Sequence, residues 1–245
     1  KLKKSEEKQM KKFRKLIPAL CMLLVSALFV GTSTYAWFSM NTTVTATDMK
    51  VTAKSDTVFL QIKGDADEGF STTGKSTMNS QLYPVQHKNI TTAAGLTNVA
   101  NWQYRYNKNA TASKDDTTAF NDVADGKFAN YVASTTYKVK LDATNSGVDT
   151  AYDLYVSNIT IPENKGVKVI VACGEKFKEF DASAADIAFA EENVIADTVN
   201  TTEMDVTVYV YIDGDADTVY TNNINNLKDL GVTFTLDCSV NNHTA

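Results

Sequence analysis

Residues 204–212, MDVTVYVYI, decide the fold class of this chain, because apolar side chains recur there at every second position. Successive side chains of a β-strand point to opposite faces of its sheet, so a period of two is typical of a strand with one apolar face. Such a strand is stable only when a second layer covers that face. The apolar face here consists of Met204, Val206, Val208, Val210 and Ile212.

The same alternation recurs on both sides of this stretch. It is clearest in residues 135–143, 167–173 and 232–240, and in residues 152–156 the expected inward side chains are Tyr152, Leu154 and Val156. We therefore expect an all-β fold, an antiparallel two-sheet sandwich of about eight to ten strands that is jelly-roll-like. Further strands are predicted at 42–54, 57–62, 82–85 and 101–106, and one short helix is expected within the Ala- and acid-rich residues 182–193.

The chain opens with a pattern typical of a secretory signal. A basic cluster at residues 11–15 precedes the apolar run Leu16–Val30, and the small side chains of Thr34 and Ala36 precede Trp37. An apolar helix of about 15 residues spans roughly 22 Å, less than the ~30 Å hydrocarbon core of a bilayer. We therefore expect a signal helix that is cleaved near Ala36. The alternative is an uncleaved leader, through which alone the protein would contact a membrane.

Charge and length limit the classes of partner and the number of domains. The whole chain carries a net charge of −5; residues 1–36 contribute +6, so the remainder carries −11. Such an acidic surface disfavours nucleic acid and anionic lipid as partners. We expect a signal peptide at 1–36, an N-terminal strand at 37–54, and one β-sandwich domain at 55–245.

Two cysteines follow the leader, Cys173 and Cys238, and each lies on the apolar face of its predicted strand. An exported protein can oxidise such a pair to one disulfide. Two separate buried thiols that pack as small apolar side chains explain the same positions. The sequence leaves both alternatives open.

The sequence carries no motif for catalysis. It has two histidines, His87 in a polar segment and His243 near the C-terminus. The zinc-protease pattern H-E-x-x-H, the nucleophile elbow G-x-S-x-G, the Walker loop and the dinucleotide fingerprint are all absent from it. Its many carboxylates are ordinary for an acidic, solvated surface. We therefore expect that the protein is not an enzyme and holds no organic cofactor.

The one candidate metal site is the loop that follows residues 204–212. Asp213, Asp215 and Asp217 alternate there with Gly and Ala. Alternate carboxylates in a tight loop can converge on Ca²⁺, which takes about six to eight oxygen ligands. Gly and Asp are also the residues that an ordinary turn requires. A calcium site and a plain turn are both compatible with the sequence.

The leader and the residues after it carry a resemblance to a known family. The segment TYAWFS at 34–39, followed by a Thr-rich alternating segment, resembles the leader and mature start of the TasA/camelysin family. Residues 206–214 and the strand–turn–strand unit at 135–156 resemble the body of such proteins more loosely. The resemblance implies a secreted Gram-positive matrix protein that is processed by a SipW-type signal peptidase.

The resemblance also implies a mode of assembly. In this family the mature N-terminus leaves its own domain and adds a strand to the next subunit, which here would be residues 37–47, with Trp37, Phe38, Val44 and Ala46. The uncharged, β-prone residues 42–47 are compatible with pairing at an open sheet edge. The alternative is that they form the first strand of their own sandwich.

Two functions remain open on this basis. The first is a structural subunit of an extracellular fibre or biofilm matrix, a homopolymer that an accessory matrix protein would assist. The second is a cell-surface adhesin or glycan-binding module, for which outward tyrosines would serve as contacts. Those tyrosines are predicted to be Tyr209, Tyr211 and Tyr220. Some members of the family are labelled metalloproteases, but this sequence has no matching set of zinc ligands.

Overall fold

The computed structural model describes residues 45–53, 60–79, 82–104, 120–142, 144, 149–219 and 230–239. They all belong to the second of the two units into which the chain divides, Lys1–Asn41 and Thr42–Ala245. The predicted signal helix, its cleavage site at Thr34, Ala36 and Trp37, and Tyr220 lie outside the described residues. Within those ranges, no helix has the length and apolar character needed to cross a membrane.

The described residues form an all-β structure, as the alternation predicts. Short 3₁₀ turns occur at Ala93–Thr97, Val99–Asn101, Phe128–Asn130 and Glu191–Asn193. The strands are β1 Thr45–Ala53, β2 Leu60–Lys63, β3 Thr73–Asn79, β4 Val85–His87, β5 Trp102–Tyr104, β6 Asn121–Asp122, β7 Val132–Leu141, β8 Thr150–Thr160, β9 Val167–Cys173, β10 Lys176–Phe180, β11 Val194–Asn200, β12 Met204–Ile212 and β13 Thr233–Ser239.

Two five-stranded sheets face each other across the main core, which confirms the all-β sandwich. Sheet 1 has the order β11-β8-β13-β1-β3, and sheet 2 has the order β10-β9-β12-β7-β2. β1 runs parallel to β13, whereas the other neighbouring strands of these two sheets are antiparallel. The main core draws side chains from both sheets, among them Val51, Leu154, Val171, Val208 and Phe234.

A third layer covers the far side of sheet 2, which the sequence did not predict. This third layer comprises residues 82–104 and 120–131, including the small sheet β4-β5-β6. Strands that are covered on both faces carry apolar side chains on both, and β9 and β12 have this character. The second apolar cluster between the layers contains Val85, Ile90, Ala93, Leu96, Trp102, Val123, Val132, Ile170, Ala172, Tyr209 and Tyr211.

Tyr209 and Tyr211 are therefore not surface side chains. The sequence correctly placed them opposite the main core, but the third layer leaves Tyr209 only 7% and Tyr211 only 1% exposed. The prediction that these two tyrosines face solvent is wrong, because sheet 2 is the middle layer of three rather than an outer one.

Two local predictions also require correction. Residues 182–193 do not form a regular helix, because Ala184 exchanges two backbone hydrogen bonds with Ile159 of β8, of 2.8 and 2.9 Å. In β8, Asp153 adopts a positive φ of 57°, and β8 has one extra residue there relative to its neighbour β13. This bulge turns Ala151 into the core and leaves Tyr152 half-buried on the other face.

The loop between β2 and β3 generates a test of the packing. A Cβ atom added at Gly64 would lie 1.9 Å from the backbone oxygen of Lys75, whereas one at Gly69 would meet nothing within 4 Å. Gly64→Ala should therefore lower the free energy of unfolding by about 1–3 kcal/mol, since backbone has to shift. Gly69→Ala is the matched control in the same loop. Urea unfolding of both variants measures the difference, and equal midpoints would contradict this packing.

Candidate functional site

A cluster of polar side chains lies at the border between the third layer and sheet 2. Its members come from β4, β9, β10 and β12 and from the loop after β12, and they are brought together by strand pairing. Tyr211 pairs directly with Lys168, and Val85 forms a parallel bridge with Asp213. We call this group the interlayer cluster; it consists of His87, Lys168, Glu179, Tyr211 and Asp213.

Glu179 is the centre of the interlayer cluster. Its Oε2 lies 2.9 Å from His87 Nε2, and its Oε1 accepts a hydrogen bond from the hydroxyl of Tyr211. Lys168 Nζ lies 3.7 Å from Oε1 of Glu179 and 3.0 Å from Oδ2 of Asp213. Both carboxylates therefore have cationic neighbours, and the cluster joins three strands of sheet 2 to β4 of the third layer.

The environment separates the pKa values of these groups. Burial opposes ionisation of Glu179, but hydrogen bonds from His87 and Tyr211 outweigh it and lower the pKa of Glu179. The hydrogen bond between His87 and Glu179 raises the pKa of His87, although burial acts in the opposite direction. Burial and the nearby carboxylate of Glu179 both raise the pKa of Tyr211. The arrangement therefore favours an ionised Glu179 beside a protonated His87 and a neutral tyrosine.

The interlayer cluster is suited to holding the third layer on sheet 2. Both oxygens of Glu179 have donors, and the ring of His87 packs edge-on against Trp102 with centroids 5.5 Å apart. Satisfied donors and acceptors at a partly buried border stabilise one arrangement of the layers, whereas leaving one of them unpaired is costly.

The predicted metal loop forms a turn. Asp213 Oδ1 accepts a 2.9 Å hydrogen bond from the backbone of Asp215, and Oδ2 contacts Lys168. The backbone of Ala216 donates to the carbonyl oxygen of Asp213 at 3.2 Å. In the described part of the chain, no three His, Cys, Asp or Glu side chains are grouped so that they could hold a metal ion. Asp213 therefore takes part both in the turn and in the ion pair with Lys168, and the calcium site at Asp213, Asp215 and Asp217 stays a prediction.

Cys173 and Cys238 are separate, buried free thiols. Cys173 lies in β9 of sheet 2, and Cys238 lies in β13 of sheet 1. Burial raises the pKa of Cys173 to about 11 and that of Cys238 to about 12. The two thiols therefore pack among the apolar side chains of the main core from opposite sheets, which is the arrangement of the second alternative.

The predicted donor segment is divided between described and undescribed residues. Trp37, Phe38 and Val44 lie outside the described residues, whereas Ala46 lies in β1 and pairs with Met78 of β3 in the same chain. β1 is an interior strand between β13 and β3. The end of the predicted donor therefore occupies the chain's own sheet, and a donated segment that leaves this sheet intact would end before Thr45.

Sequence reasoning missed the interlayer cluster, although one signal was present. The segments VKVIVAC at 167–173 and VTVYVYI at 206–212 carry large apolar side chains on both faces. This pattern is typical of a strand covered on both sides. It indicates a second covering layer, and Lys168 and Tyr211 belong to the face that this layer covers.

Comparisons with protein-family models, with curated proteins and with solved structures found no significant match.

The interlayer cluster predicts a difference between two tyrosines of one strand. Tyr211→Phe removes the hydroxyl that donates to Glu179 but keeps the ring against Trp102, 5.2 Å away between centroids. We expect a loss of about 1–2 kcal/mol in the free energy of unfolding. Tyr209→Phe, which alters the same apolar cluster, should cause a smaller loss. Chemical denaturation provides the measurement, and a larger loss for Tyr209→Phe would contradict this assignment.

The free thiols predict an assay result without reductant. The chain starting at Trp37 should show two reactive thiols in denaturant, because the structure contains no bond between Cys173 and Cys238. In native buffer both should react slowly, because burial shields them and raises their pKa values. A count of zero thiols in denaturant would show that the pair is oxidised.

Proposed function

We propose that this chain is a secreted structural subunit of an extracellular fibre or biofilm matrix and that it polymerises by donation of its N-terminal strand. The observation that carries the proposal is the order of segments. A stretch with the pattern of a secretory leader is followed by a β-prone segment, and that segment leads in sequence directly into β1 of an all-β sandwich. Cleavage near Ala36 would leave residues 37–44 as the N-terminal segment that precedes an interior strand.

The chemistry of β-strands supports this mode of assembly. A backbone segment outside a sheet gains its hydrogen bonds by adding to the edge of another sheet. Residues 42–44 are uncharged and β-prone. Each copy would carry one donor and one acceptor, a heterologous arrangement that generates open filaments. A jelly-roll-like sandwich, a signal helix, a SipW-type signal peptidase and an accessory matrix protein belong to the same proposal.

The alternative of a glycan-binding module is less well supported. It relied on tyrosines that face solvent, and the third layer buries two of the three, Tyr209 and Tyr211. The structural subunit needs only an exported, folded sandwich and a free extension. The leader remains its sole expected contact with a membrane.

The structure sharpens the test of strand donation. Removing residues 37–44 deletes the extension but keeps β1, which begins at Thr45. The chain starting at Trp37 should form filaments in negative-stain images, and the chain starting at Thr45 should remain monomeric with an unchanged unfolding midpoint. The matched control replaces residues 37–44 by a Gly/Ser segment of equal length and should also stay monomeric. Filaments from the shortened chain would contradict strand donation.

A further inference from the structure

The third layer is held to sheet 2 by an apolar contact with one titratable group at its border. Trp102 is fully buried at the centre of this contact, and its indole nitrogen donates to the carbonyl oxygen of Leu96 at 3.0 Å. His87 lies at the border, where its side chain is 19% exposed. It belongs to β4 of the third layer, whereas its partner Glu179 belongs to β10 of sheet 2.

Both nitrogens of His87 face atoms that only accept hydrogen bonds. Nδ1 lies 2.9 Å from the backbone oxygen of Lys88, and Nε2 lies 2.9 Å from Oε2 of Glu179. A neutral imidazole has one N–H group, so it would direct a lone pair at one of these two oxygens. The imidazolium form donates to both. The geometry around His87 therefore favours the protonated ring.

We propose that His87 is a pH-sensitive clasp that holds the third layer on sheet 2 when it is protonated and loosens that layer when it loses its proton. Deprotonation replaces a charge-assisted hydrogen bond to Glu179 by a contact in which one acceptor oxygen faces a lone pair. Loosening would expose the apolar face of β9 and β12, including Tyr209 and Tyr211, which the third layer covers. The main core between the two large sheets does not contain His87 and stays intact.

The groups around His87 include charges of both signs. Lys168 from β9 disfavours the imidazolium, but Lys168 is itself paired with Asp213 at 3.0 Å. Lys88 contributes its backbone oxygen, while its ammonium group contacts Asp122 at 2.8 Å. Glu179 is the direct partner of the ring. The rings of Tyr211 from β12 and Trp102 from β5 also contact the imidazole ring, both edge-on.

The pKa shifts fix the sign and the window of the effect. The hydrogen bond to Glu179 raises the pKa of His87 above its usual 6.5, so its contribution is complete below that pH and is lost as the pH rises through the raised value. Burial would raise the pKa of Glu179, but its hydrogen-bond donors lower it below the usual 4.5. The contribution of Glu179 to stability is therefore present above that pH and is lost on acidification through the lowered value. The contact between His87 and Glu179 is therefore strongest between pH 4.5 and pH 6.5, the usual pKa values of the two groups.

Hydrogen exchange on the chain starting at Trp37 tests the clasp. Between pH 6 and pH 9, after correction for the intrinsic exchange rate, protection of β5 should fall about tenfold for each unit by which closure raises the pKa of His87. Protection of β8 and β13 in the main core should exceed that of β5 at every pH, because the third layer opens without unfolding of the main core. Equal protection in all three strands, or no pH dependence in β5, would overturn the proposal.

Two variants and one direct titration complete the test. His87→Gln should weaken protection of β5 and remove its pH dependence, whereas replacing the other histidine, His243→Gln, should leave the dependence unchanged. A nitrogen-detected NMR titration of the unmodified side chain avoids the risk that a variant fails to fold. The pKa of His87 is raised above its usual 6.5, so we expect the doubly protonated ring to predominate at pH 6.5. A predominantly singly protonated ring at that pH would overturn the proposal.

Discussion

The burial of β12 on both of its faces is the constraint on which the rest of the structure depends. Val206, Val208 and Val210 face the main core, and Tyr209 and Tyr211 face the second apolar cluster. A strand of this kind needs a layer on each side. Sheet 1 provides the first layer, and residues 82–104 and 120–131 provide the other. The interlayer cluster follows, because Tyr211 places a buried hydroxyl that needs an acceptor, and Glu179 provides it.

The sequence predicts the sandwich well where alternation is regular. β7, β9, β12 and β13 lie within or close to the predicted ranges, because one face of each packs in the main core. The alternation pattern fails where both faces of a strand are covered but one of them carries residues that also occur at the surface, as at Tyr209 and Tyr211. It also fails at Asp153, where a bulge of β8 opposite β13 shifts the inward positions by one. The hairpin strand β10, with three charged residues out of five, has no apolar period to detect.

The interlayer cluster was beyond prediction for a different reason. His87 and Glu179 are 92 residues apart, and their contact depends on how the third layer docks. Neither residue has a local pattern that indicates the other. Lys168 and Asp213 also lack a local pattern that indicates their contact. Their ion pair involves a carboxylate of the predicted calcium loop. By contrast, the prediction of a leader and of a β-prone segment after it depends only on the order of residues.

A cryo-electron microscopy reconstruction of the filaments would decide whether subunits assemble by donation of the N-terminal strand. Strand donation predicts that residues 37–44 continue from β1 of one subunit as a strand hydrogen-bonded to a sheet edge of the next subunit. A reconstruction in which those residues pair within their own subunit, while neighbours meet through other surfaces, would contradict it.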